Sequence, residues 1–497
     1  MHFYNRQNSD TDNSLAQRAR LQTGFTAVFF CTCVWLSTQP YLVSAAVPRD
    51  TIRQAISNIE AGNYSLARTY LDALVIDPRI SARQRSRAYY FRGYSYDAQN
   101  LAVSATQDYL RALEFDSGNL DALVALAEHY RMGQGVPQNA EKAFSLDLRA
   151  ARGGQVTAEA QVGVALLSGQ GTAVDEKKAR YWLSQAAEKN HIGAMLYLAR
   201  SYRKPYLEKQ GLAQPPEPEL AREWYQKAAD LGAVEAWVGL AYMYENGEFS
   251  QSDPPVPDWP DAVRYFTQAA ELGSPVAQTR LAHLYLAGQA QFAGPGTPDT
   301  GITQSDRLAH TWFQRAANQN FAPAYLGLAF LYQNGRGVAK NPVQARQWLL
   351  KGAQQGDLES QIRLAEELLG EGGLKNTREA LTWLQSAAGQ GSNRARNDLA
   401  WLLSTTRFDA LRNADQALQV AQLAVNHEAS ASYLDTLAAA QAEAGNFQAA
   451  ILVQRQALNT LQQQQTSQPR PEPEFERLLT ELETHLQAYQ QGKPWRE

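Results

Sequence analysis

The sequence predicts an all-α fold, an α-solenoid of about eleven stacked helix pairs. Three observations predict it: a pair of small residues that recurs along the chain, a constant spacing from each pair to the next apolar segment, and Gly/Pro clusters confined to the intervals between landmarks. The pair is Ala-Ala, once Gly-Ala, with its second member at 151, 187, 229, 270, 317, 353 and 388. Four residues before the first member stands Leu146 and then, in order, Trp182, Trp224, Tyr265, Trp312, Trp348 and Trp383. On a helix those two positions share a face one turn apart, so ring and Ala form one stripe, read as core packing rather than a ligand ladder.

A second landmark opens the next apolar segment: a Leu or Val followed by a small residue at 127, 163, 199, 241, 282, 329, 365 and 400. Each small pair is followed 12 residues later by this landmark in all seven cases, whereas the distance from the landmark to its own pair varies from 23 to 35. Every length change therefore falls inside a unit. Each unit reads as two helices, A and B, whose stacking register is fixed while the A–B loop is free to grow.

The loops agree with that division. Gly335-Arg336-Gly337-Val338 is expected to end helix A with glycines at positive φ, and Asn341-Pro342 to start helix B with a cap and a first-turn proline. The same punctuation stands at Gly133-Gln134-Gly135-Val136 and Gly169-Gln170-Gly171. Three enlarged loops, Arg203 to Glu219, Gly247 to Pro260 and Gly288 to Ser305, are expected to project from one edge of the array.

These residues resemble the Sel1-like repeat, a relative of the tetratricopeptide repeat, most clearly over Ala324 to Gly356. The resemblance covers seven copies over 119–391 and implies a right-handed superhelix. Flanking segments are similar to ordinary tetratricopeptide units, over 47–118 (Ala67, Leu71 and Leu74, then Tyr89, Gly93, Tyr96, Ala105, Tyr109 and Ala112) and over 392–461 (Leu399 to Val425 as a degenerate pair, then Ala438, Ala450 and Ala457). A Gln/Pro-rich linker, 462–473, precedes a capping helix and tail, 474–497.

Composition narrows the function. The chain has 497 residues, 44% hydrophobic and 19% charged, with net charge −4 and scattered basic residues, which disfavours nucleic acid as a partner. Its two cysteines, Cys31 and Cys33, lie in the apolar run Phe25–Leu36, preceded by Arg18 and Arg20 and followed by Val43-Ser44-Ala45-Ala46. That layout reads as a secretory signal peptide over 1–46, cut after Ala45 or Ala46, with an uncut signal anchor as the alternative. It places the protein in the periplasm, with membrane association only through partners or such an anchor. No two of the seven His stand three or four apart, and neither a phosphate loop nor a Gly-x-Ser-x-Gly elbow is present. The expectation is a non-enzymatic chain with no cofactor and no metal.

In the tetratricopeptide geometry, the position after each helix-A landmark looks across the inner, concave surface. Here it holds Glu128, Val164, Arg200, Tyr242, His283, Phe330, Glu366 and Trp401, a row that changes type from unit to unit. Arg200, Tyr242, His283, Phe330, Glu366 and Trp401 are the candidate partner-binding residues, with the central aromatics suited to a partner peptide or a sugar chain. Exported proteins with this repeat include scaffolds of alginate-type exopolysaccharide secretion. The resemblance thus implies a protein–protein scaffold in the cell envelope, with other envelope proteins or polysaccharide as partners. A direct carbohydrate-binding module and a regulatory subunit of an envelope enzyme are the rival readings.

Overall fold

A computed structural model describes residues 48–203, 216–252, 254–288, 303–465 and 473–497. Residues 1–46, which carry the signal-peptide reading and both cysteines, lie outside the described residues. So do most of the first and third enlarged loops and the middle of the Gln/Pro-rich stretch. Among the described residues the regular elements are 23 α-helices and one short 3-10 turn, with no strand.

The chain forms two compact units that divide after Ile80. The first holds one hairpin, α1 (Pro48–Glu60) and α2 (Tyr64–Ile76), in which Ala67, Leu71 and Leu74 are buried. The second begins with the hairpin of α3 (Ala82–Asp97) and α4 (Ala102–Phe115), then α5 (Leu120–Met132) with α6 (Ala140–Arg152) and α7 (Val156–Ser168) with α8 (Glu176–Glu188). It continues with α9 (Ile192–Ser201) and α10 (Pro218–Asp230), α11 (Val234–Glu245) and α12 (Trp259–Glu271), and α13 (Pro275–Ala287) and α14 (Asp306–Ala317). Next come α15 (Ala322–Asn334) and α16 (Pro342–Gln354), and α17 (Leu358–Glu371) and α18 (Leu374–Gly389). The unit closes with α19 (Asn393–Thr405) and α20 (Ala414–His427), α21 (Ala431–Glu443) and α22 (Phe447–Gln465), and a last helix, α23 (Pro473–Gln490). Within the second unit each helix packs on the next in sequence, and helix A of several hairpins also touches the following helix A, as α7 does α9 and α13 does α15.

The constant 12-residue junction has a structural cause. Three residues after each small pair stands a Gly or Asn at positive φ: Gly154, Asn190, Gly232, Gly273, Asn320, Gly356 and Gly391. At every one of these seams the carbonyl of the pair's first member accepts from the N–H five residues on, at 2.9–3.4 Å, and the second member's carbonyl accepts from the Gly or Asn itself. This is the two-bond helix stop that a left-handed residue makes possible. The small pair thus supplies both the buried seam and the carbonyls that end helix B, and no residue can be added without breaking both.

The variable A–B loop is clamped at its base by one repeated bond. The N-cap residue of helix B donates its N–H to the carbonyl three residues after the helix-A landmark, in compact loops (Asn139 to Tyr130, Asn341 to Tyr332) and in enlarged ones (Glu217 to Tyr202, Asp258 to Tyr244, Ser305 to Tyr285). Growth beyond a closed base costs only slowly rising loop entropy. The second enlarged loop does not simply project. Phe249 lies 4.7 Å from the Tyr244 ring, and Glu248 forms a bidentate ion pair with Arg203 of the preceding hairpin, both side chains largely buried. The glycines of the compact turns take positive φ as expected, and the second of each pair lets the turn lie on the preceding helix B: a β-carbon on Gly337 would stand 2.4 Å from the Asp306 carbonyl oxygen.

One expectation about the core needs adjustment. The landmark aromatics Trp182, Trp224, Tyr265, Trp312, Trp348 and Trp383 are only half-buried, several of them capped by a cation, as Trp224 is by Lys227 at 4.1 Å and Trp348 by Lys351 at 4.2 Å. The deep knob is the next residue along, Leu183, Tyr225, Phe266, Phe313, Leu349 and Leu384, each buried. A 100° step per residue turns that neighbour inward and leaves the ring before it at the seam's edge.

Candidate functional site

The six candidate residues follow from where helix A must be small. Ala199, Ala241, Ala282, Ala329, Ala365 and Ala400 are buried in the stack, so the next side chain is turned out of it, and none of the six is buried. The helices that carry them are α9, α11, α13, α15, α17 and α19, one per hairpin.

Their surroundings differ. Arg200 is exposed, its guanidinium 5.8 Å from the Tyr197 ring. Tyr242 is half-buried, edge-on to Phe266 at 5.1 Å, and burial and then Glu245 push its hydroxyl pKa up against the opposing pull of Arg280. His283 is open to solvent on one side and edge-on to Phe313 at 5.0 Å on the other; desolvation, then Arg280, holds its pKa below the usual imidazole value. Arg280, ion-paired with Glu245, acts on both rungs and ties Tyr242 to His283 electrostatically. Phe330 is 45% exposed, with Arg336 5.7 Å from its ring.

Glu366 and Trp401 are brought together: both line one cavity of about 820 Å3. Glu366 is exposed and pairs with Arg394 of α19, and Trp401 donates its indole N–H to Glu497 at 3.0 Å. Arg200, Tyr242, His283 and Phe330 sit on four successive hairpins, and Tyr242 and His283 make their ring contacts within their own.

A second cavity, of about 490 Å3, escaped the sequence reading. It is lined by Tyr90, Tyr94, Asp97, Tyr109 and His129 among others. Asp97 accepts from the Tyr109 hydroxyl at 2.5 Å and from His129 Nε2 at 2.9 Å, and His129 Nδ1 lies 2.6 Å from Thr106 Oγ1. Burial, and then its bond to Asp97, raises the Tyr109 pKa, while Tyr90 is pushed up to about 12 by burial and by Asp121, Tyr94 and Asp97. Although hydroxyl, imidazole and carboxylate stand in a row, Thr106 is buried and its hydroxyl also meets the carbonyls of Ala102 (2.9 Å) and Gln134 (3.1 Å). A hydroxyl so enclosed is not presented to a substrate. The partners lie 32 and 23 positions from His129, so local spacing carried no sign of them. Among the described residues no group of three or more His, Cys, Asp or Glu is placed to hold a metal ion, and no helix is long and apolar enough to cross a membrane.

A family model described as the Sel1 repeat matches residues 120–155, 156–191, 192–232, 235–274, 275–321, 322–357 and 358–392, more than half of the chain. Among curated proteins, the chain is 26% identical over 294 residues to the chitin synthase regulator SKT5 of Saccharomyces cerevisiae, a match covering 50% of this chain and 40% of that protein. It is 24% identical over 241 residues to chitin synthase regulatory factor 3 of Schizosaccharomyces pombe, covering 48% and 24%. The chain thus spans less than half the length of these two relatives. Among solved structures, it is similar to a protective antigen of uropathogenic Escherichia coli with an SLR fold, at 22% identity and a TM-score of 0.44, covering 82% of this chain and 92% of that one. The relatives overturn one expectation. Both named regulators are yeast proteins, so the periplasmic destination drawn from residues 1–46 is withdrawn. A basic n-region before a short apolar run is not peculiar to a bacterial envelope, so residues 1–46 do not by themselves name a compartment.

Proposed function

Because the chain belongs to the Sel1 repeat family, we propose that it is a non-enzymatic scaffold that holds a polysaccharide-synthesising enzyme and its associates together through the outward row of helix A. The observation that carries this reading is the row itself. Six successive buried Ala positions are each followed by a side chain that is not itself buried, and these read Arg, Tyr, His, Phe, Glu and Trp. A stack that repeats its core and varies one line of surface residues suits recognition of an extended protein segment. The enzyme class is supported by the names of the two yeast relatives, both regulators of chitin synthase. The alginate-type polymer and an envelope setting draw no support from them. A regulatory role toward a synthase is the scaffold reading in functional terms, since a regulator without chemistry of its own acts by binding.

The test is co-purification of the full chain with a polysaccharide synthase from the same organism, for the parent and for Tyr242→Ala/Phe330→Ala. Retention of the synthase should fall at least tenfold in the double variant while helix content stays unchanged. Undiminished retention would remove these residues from the interface, and tighter binding to the purified polymer than to the synthase would replace the scaffold with a carbohydrate-binding module.

A further inference from the structure

Helix α19 ends at Thr405 beside Trp401, and Thr406 is extended, with φ −54° and ψ 137°. The last carbonyls of any helix lack intrahelical partners, so this end presents main-chain groups at the mouth of the 820 Å3 cavity. They are taken by the chain itself. After α23, Gly492 turns the backbone at φ +68°, and Glu497 then donates its N–H to the Thr405 carbonyl at 2.9 Å and accepts from the Arg407 N–H at 3.0 Å. One residue bonded to the two neighbours of an opposed residue is the pattern of parallel strand pairing.

The side chains of this segment dock as a peptide's would. The Trp495 ring lies 4.5 Å from His485, which lies 5.5 Å from Trp401. Arg496 donates to the Ser404 carbonyl at 3.0 Å and pairs with Glu443 at 2.6 Å, and Glu497 takes the Trp401 indole N–H at 3.0 Å. Yet the segment is laid on rather than buried: Arg496 and Glu497 are exposed and Trp495 only half covered. The cavity runs on past it to Gly373, Arg394 and Asp398.

We propose that this groove is a docking site for an extended peptide in which an aromatic residue is followed by an arginine and an acidic residue, and that residues 494–497 are its occupant in cis, displaced when a partner segment of that chemistry arrives. The inference rests on the scaffold reading and names the class of partner segment. Main-chain pairing supplies affinity, and the Trp401/His485 seat and the Glu443 carboxylate supply selection. A tethered occupant competes at high effective concentration, so its removal exposes the site.

The probe is a fluorescein-labelled peptide of residues 491–497, read by fluorescence anisotropy against the full chain and against the chain lacking 494–497. The shortened chain should bind at least tenfold more tightly than the full chain. Trp495→Ala in the peptide, or Trp401→Ala in the shortened chain, should abolish binding. Because Trp495 also packs against the last hairpin, Trp495→Ala/Arg496→Ala in the full-length chain serves as a second acceptor of normal length, and it too should bind the parent peptide at least tenfold more tightly than the parent chain does. Absence of binding to both altered chains, with helix content retained, overturns the proposal, as does equal binding to parent and altered chains. The measurement uses this protein alone, so its failure leaves synthase retention by the Tyr242/Phe330 row standing, and loss of that retention leaves the peptide result unmoved.

Discussion

The seams between hairpins make a sharp prediction at Gly327. This residue of α15 faces the Phe313 ring of the preceding helix B, and an ideal β-carbon there would stand 2.3 Å from Cε1 and 2.4 Å from Cζ. Phe313 is completely buried, so the ring has no open side into which to retreat. Overpacking of this kind costs about 1–3 kcal/mol. Alanine's better helix propensity returns about 1 kcal/mol, which leaves Gly327→Ala destabilised by up to about 2 kcal/mol. The same substitution at Gly370, helical, exposed and with nothing within 4 Å of its β-carbon, meets only the propensity gain and should stabilise. A repeat stack can open segment by segment, so the assay is amide hydrogen exchange in α14 and α15 alongside the thermal midpoint. Exchange there should quicken by up to roughly 30-fold in Gly327→Ala, and Phe313→Leu in the same chain should recover part of the loss. If Gly327→Ala exchanges and melts like Gly370→Ala, the tight seam does not exist.

Three further outcomes follow from the geometry. Phe313→Ala should cost about 3–5 kcal/mol and Trp312→Ala roughly half that, because the ring one position earlier is only half-buried; denaturant midpoints showing the reverse order would put the tryptophans back in the core. Glu248→Gln should cost about 3–5 kcal/mol by stranding the buried Arg203 charge, whereas replacing both partners with apolar residues should recover much of the loss, so equal losses in single and double variants would deny the pair its role. The fold holds the His283 pKa below its unfolded value, so the unfolded chain binds more protons below about pH 6.5 and stability falls as pH drops from there toward the folded pKa. An NMR titration of His283 with a midpoint at or above 6.5 would contradict this.

Much of the fold was legible because its periodicity is enforced by backbone chemistry. The small pairs are spaced as they are because each must be followed, three residues on, by a Gly or Asn that ends helix B. That second mark stood in the sequence at 154, 190, 232, 273, 320, 356 and 391, but spacing alone was enough to find the junction without it. What spacing could not separate was the ring from its neighbour. Trp312 and Phe313 are adjacent and both aromatic, and only the phase of the helix on its partner decides that Phe313 is sealed while Trp312 keeps one edge at the surface under Arg315.

The site was legible to the same extent as its dependence on the repeat, and no further. The row from Arg200 to Trp401 is found by counting one residue on from the buried Leu-Ala landmarks, a further 100° step that carries the side chain out of the stack. The Asp97–Tyr109–His129 network and the docking of Trp495, Arg496 and Glu497 beside Trp401 depend instead on which hairpins become neighbours and on where a non-repeating segment comes to rest. Trp401 and Glu497 are 96 positions apart, and no repeat relates them. A stack of equivalent units offers equivalent surfaces, and specificity arises where the equivalence fails. The two places where it fails most visibly are the aromatic rungs beside the enlarged loops and the groove that the chain fills with its own residues, and the two binding experiments address each of them separately.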